Sequence, residues 1–142
     1  MLYYSDHFAL PLPTGHRFPM AKYARLREKL AAGVEFREDD FRVPPAATDA
    51  ELGRAHCPAY LGRVVSGTLG APEIRAIGFP WSEAMVERSR RSAGATLSAA
   101  RDALVQGWSA NLAGGTNQAF FFGGLGLCFL KVGAIGAGAL LG

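Results

Sequence analysis

Histidine and cysteine are scarce in this chain. Its 142 residues hold three histidines (His7, His16 and His56) and two cysteines (Cys57 and Cys128). The cysteines lie far apart, so they form neither a metal-spaced cluster nor a small-domain disulfide framework. Reduced thiols in a cytoplasmic protein are the simplest reading. The histidines show no ligand spacing and read as loop or capping residues. A basic block with interleaved aromatics is also missing. Net charge is only +3 and the basic residues are spread among acids, so no nucleic-acid surface is expected. The densest basic run, Arg88-Ser89-Arg90-Arg91, reads as a solvated helix face. Met1 to Leu10 contains Asp6 and His7 and no basic region before an apolar run, so it is not a secretory signal. Charge nearly vanishes from the last third: between Leu104 and Gly142 only Lys131 is charged. That asymmetry suggests a segment meant to be covered.

What is present fits one domain with a real core. Leu2-Tyr3-Tyr4 is a short strand candidate, followed by a broken loop from Pro11 to Pro19. Helical spacing of Tyr23, Leu26 and Leu30 predicts a helix from Met20 to Leu30, ended by Gly33. Val34-Glu35-Phe36 reads as a strand, and Pro44-Pro45 breaks regular structure after it. Thr48 to Glu51 fits a capping box opening a short helix toward His56. Pro58 starts the next helix, which Gly67 and Gly70 end. Ser82 caps the longest helix, which runs to about Gln106 with Gly107 as its stop. Its small face, with Ser92, Ala93, Thr96 and Ala100, should lie close against a sheet, and Arg88, Arg91 and Arg101 lie opposite. Ser109 to Ala113 is a short buried strand closed by Gly114-Gly115. This alternation favours α/β with a parallel sheet, small for its class.

After that strand comes Thr116-Asn117-Gln118 in an apolar setting. Strand ends followed by glycine turns are where α/β folds put their chemistry. Two amides cannot exchange protons near neutrality, so the layout is that of an active-site loop without acid-base groups. Residues 119–142 form an apolar, glycine-rich C-terminal segment long enough to be a membrane candidate. A central Lys131, costing about 2.5–3.5 kcal/mol on insertion, and the breaks at Gly123, Gly124 and Gly126 argue against a span. The expectation is a buried loop followed by a core helix from about Lys131.

Several strings, in order, carry a likeness. They are Tyr4-Ser5-Asp6-His7-Phe8, Gly15-His16-Arg17-Phe18-Pro19-Met20 with Lys22-Tyr23, Gly78-Phe79-Pro80-Trp81-Ser82, Glu87 to Ser92, Gly94-Ala95-Thr96, and Asn111 to Thr116. Over most of residues 1–119 the chain resembles the N-terminal half of the zinc-dependent histone deacetylase family, nearest its class IV and acetoin-utilisation-like branch. The resemblance implies a three-layer α-β-α arginase/deacetylase fold with a parallel sheet. It implies hydrolysis of acetyl groups from lysine or polyamine-like amines. Zinc would polarise the amide and activate water, two adjacent histidines would manage protons, and a tyrosine would bond the oxyanion.

The chain departs from that pattern at the centre. Asn117 and Gln118 stand where the family has its histidine pair. Gly126-Leu127-Cys128 keeps the skeleton of the substrate-channel wall, with Leu127 in a phenylalanine place, and Lys131-Val132 replaces an Asn-Asp pair. His16, in the loop resembling the channel entrance, is the remaining channel candidate. The family's zinc ligands and oxyanion tyrosine lie in its second half, beyond Gly142. The expectation is therefore one incomplete deacetylase-like domain over residues 1–142 that binds no metal and catalyses nothing. The alternatives are an interaction module, self-associating through the apolar segment, or a membrane-associated protein.

Overall fold

A computed structural model describes residues 1–8, 10–113, 119–124 and 130–141, with backbone alone for 132 and 138–141. Three short strands, β1 (Leu2–Tyr3), β2 (Phe41–Arg42) and β3 (Ala110–Asn111), form a sheet in the order β2-β1-β3. Both pairings are parallel. Leu2 stands opposite Phe41 and Ala110, and Tyr3 opposite Arg42 and Asn111. Parallel neighbours need crossovers, and helices supply them. Helix α1 (Ala21–Ala31) joins β1 to β2. Helices α2 (Asp49–Leu52), α3 (Pro58–Ser66), α4 (Ala71–Ile77) and α5 (Glu83–Gln106) lie between β2 and β3, and α6 (Val132–Leu141) follows β3.

Local chemistry explains most boundaries. The Thr48 hydroxyl accepts from the Glu51 amide, and the Glu51 carboxylate accepts from the Thr48 amide, so α2 opens on a reciprocal box. Ser82 Oγ accepts from the Met85 amide and caps α5, and Pro58 occupies the first turn of α3. Gly67 ends α3 at φ +71, a backbone region costly for other residues. The Trp81 ring covers this turn and its Nε1 donates to the Val64 carbonyl at 2.7 Å.

The main core gathers Leu52, Tyr60, Val64, Ile77, Phe79, Met85, Leu97 and Ile135. Ile135 carries α6 into it, which gives that helix about 2–3 kcal/mol of burial. A second cluster joins Tyr3 of β1 to Ala95 and Ala99 of α5, which were not among the residues of the expected small face; from that face, Ser92 and Thr96 reach the sheet at Asn111 of β3.

Four expectations need correction. Val34-Glu35-Phe36 forms no strand: Val34 is 96% exposed, so the segment has no alternating buried face to dock on a sheet. The strand forms instead at Phe41–Arg42. Gly70 does not end α3, which stops at Gly67; it precedes α4, and its amide donates to Glu73 at 2.9 Å. The arginine run is not solvated: Arg88 is 6% exposed and is held by backbone carbonyls. Phe120, Phe121 and Phe122 sit on an exposed turn closed by the Phe120–Gly123 bridge, not in a buried loop.

Candidate functional site

Parallel strands present their ligand-binding loops at their carboxyl ends. Here the first half of α5 reaches the chain beyond each strand. Beyond β1, the Arg88 guanidinium donates to the carbonyls of Ser5 at 3.3 Å and Phe8 at 3.2 Å. It also lies 4.6 Å from the Tyr23 ring centre. Burial pulls its pKa below the usual arginine range, while neighbouring Tyr23 and Asp6 pull it back. Beyond β2, Arg90 donates to the Ala47 carbonyl at 3.0 Å and pairs with Asp49, and Arg91 donates to the Pro44 carbonyl at 2.8 Å. The Ala47 amide returns a bond to the Arg90 carbonyl. At the last residue of β3, the Asn111 amide donates to the Ser92 carbonyl and to Thr96 Oγ1 at 2.9 Å, its oxygen accepts from the Ala113 amide, and beyond the strand Ser92 Oγ donates to the Ala113 carbonyl at 3.3 Å.

Close contact makes this arrangement possible. A Cβ at Gly94 would lie 1.9 Å from the Pro45 carbonyl oxygen, so the segment after β2 crosses α5 only over a glycine. Asp6 accepts a two-pronged bond from Arg27 of α1, at 2.9 and 3.1 Å to Nε and 2.9 Å to Nη2, which fixes the turn after β1 from the other side.

The predicted site residues fall unevenly on this frame. Asn117, Gln118, Gly126 and Leu127 lie outside the described residues. His16 is described and lies at the end of α4. Its Nδ1 accepts from the Phe18 amide at 3.2 Å, so its Nε2 carries the proton given to the Gly78 carbonyl at 3.1 Å. Its ring stacks on Phe79 at 5.5 Å. These bonds fasten the loop after β1 to Gly78–Phe79. His56 is fully buried and accepts the Lys131 amide through Nε2 at 2.8 Å, which tethers the start of α6. Burial lowers its pKa, against the Phe120 and Phe121 backbone, with Lys131 adding to the lowering. Those backbone groups lie near without bringing Nδ1 into hydrogen-bond geometry among the described residues. Sequence reasoning missed the roles of Arg88, Arg90 and Arg91. The signal was there: three arginines in about one turn, followed by small residues, mark a helix crossed closely by other chain.

The described residues offer no fit for the resembled family's zinc. Among the described residues no three of His, Cys, Asp and Glu are grouped to hold a metal ion.

The arrangement defines an α/β domain of the arginase/deacetylase type, and solved structures share it. The HD domain of HDA15 superposes with a TM-score of 0.78 at 15% identity, over 99% of this chain and 42% of that one. An HDAC homologue complexed with SAHA gives 0.73 at 21%, over 99% and 40%. An HDAC homologue from Aquifex aeolicus gives 0.69 at 19%, over 99% and 40%. In sequence, the chain is 36% identical over 128 residues to an uncharacterized protein of Picosynechococcus sp., covering 90% of this chain and 43% of that protein. The chain thus spans well under half the length of each. No family model matches it.

Proposed function

We propose that this chain is a deacetylase-type scaffold that does not itself hydrolyse amides. The observation that carries this reading is the conjunction of the deacetylase-type fold with Asn117-Gln118 in the sequence that follows β3. The activity of the resembled family is zinc-dependent deacetylation of lysine or polyamine-like amines. An amide pair keeps hydrogen-bond donors and acceptors for a substrate carbonyl. It cannot take a proton from water or return one to a leaving amine. Alongside this, the described residues group no metal ligands. The scaffold would therefore bind or position without turnover. Purified protein should show no zinc by mass spectrometry and no hydrolysis of an acetyl-lysine peptide. One tightly bound zinc per chain with turnover overturns the reading.

The exposed Phe120, Phe121 and Phe122 favour a second role as an interaction module, with self-association through residues 119–142. Light scattering in dilute buffer should then show an oligomer, and a clean monomer counts against it. As for a membrane role, no helix among the described residues is long and apolar enough to cross a bilayer.

A further inference from the structure

A cavity of about 490 Å³ lies on the flank of β1 away from β3, lined by Tyr4, Arg27, Ala31, Phe36, Glu38 and Phe41. That volume is in the range of small-molecule sites. Apart from Tyr4, which opens the first string of the deacetylase likeness, none of these residues carries that resemblance.

The walls are aromatic and braced. Phe36 meets Phe41 edge-on at 6.4 Å and the Trp108 ring at 5.9 Å. These contacts hold Phe36 in place although residues 33–37 have no regular structure. The Arg27 guanidinium lies 5.1 Å from the Tyr4 ring centre.

Charge then selects the occupant. The cavity has one cationic and one anionic lining residue, but they are not equally available. Arg27 is doubly bonded to Asp6, whose side chain is 6% exposed, so this cation is already neutralised by a buried carboxylate. The Glu38 carboxylate meets no cation among the described residues. The charge left to a ligand is therefore negative, beside aromatic faces whose π-electrons also favour a cation. An anion entering the cavity would have to displace Asp6 and sit near Glu38.

We propose that this cavity binds an organic ammonium ion, its apolar body against Phe36 and Phe41 and its nitrogen toward Glu38. The site lies on the β2 side of β1 and does not depend on the chain's hydrolytic status.

The test uses the full chain and three probes of one shape: benzylammonium, benzyl alcohol and benzoate. Ligand-observed NMR titration measures each affinity, and aromatic shifts of Phe36 and Phe41 locate the binding. Benzylammonium should bind at least about ten-fold more tightly than benzyl alcohol, and benzoate should not bind. Glu38→Gln, an exposed change that leaves the fold intact by circular dichroism, should remove that advantage. Equal binding of amine and alcohol, preference for benzoate, or an unchanged advantage in Glu38→Gln overturns the proposal. So does amine binding that leaves the Phe36 and Phe41 resonances unmoved.

Discussion

The two ends of α5 invert the usual rule of what is buried. In the first half, cationic Arg88, Arg90 and Arg91 turn inward onto carbonyls of the segments after β1 and β2. In the second half, Leu104 and Val105 are 74% and 86% exposed. What decides burial along this helix is what crosses it. Chain segments with carbonyls to satisfy cross the first half, and a guanidinium reaches them with fixed, multiple donors. Among the described residues, little covers the end near Gln106.

Gly94→Ala should disturb the buried half most. Its Cβ would strike the Pro45 carbonyl, so stability should fall by about 3 kcal/mol or more in chemical denaturation. Next comes Arg88→Ala, which strands the Ser5 and Phe8 carbonyls. A loss of about 2–3 kcal/mol is expected, with Arg88→Lys restoring only part.

A third test is pH. His56 has a folded pKa below its unfolded value of 6.5, so the unfolded chain binds the extra proton first. Its contribution is intact above about pH 6.5 and is lost as pH falls toward the folded pKa, at up to about 1.4 kcal/mol per pH unit. His56→Gln should flatten this part of a stability–pH curve. Glu51 and Glu73 act lower. Backbone and side-chain bonds at Thr48 lower the one, and Arg63 lowers the other, so their contribution disappears only below about pH 4.5.

The smallest effect belongs to the exposed end of α5. Arg101 pairs with Glu51 at 3.1 Å with its side chain 57% exposed, so Arg101→Ala should change stability by less than about 0.5 kcal/mol. A loss as large as that of Arg88→Ala would erase the contrast.

Much of the fold was legible because it is written in local chemistry. The Thr48–Glu51 box, the Pro58 and Ser82 starts and the Gly67 and Gly107 stops each lie within one turn of sequence. The α/β class followed from their order. Val34-Glu35-Phe36 misled because its pattern matched a strand while none of the described residues covers Val34. Arg88 misled for the opposite reason. Its partners are 80 or more residues away, and no helical periodicity records them. Of the candidate site, His16 was legible as a loop residue, but its bond to Gly78 is a long-range fact.

In this reading α5 gathers the ends of all three strands into one unit. Native-state hydrogen exchange in mild denaturant probes that unit at three amides. Tyr4 donates to Arg42, Ala47 to Arg90 and Ala113 to Asn111. If α5 is their common platform, these amides open together, with one free energy and one denaturant dependence. Three distinct opening free energies would mean that each strand end is held separately, and α5 would then be no common platform.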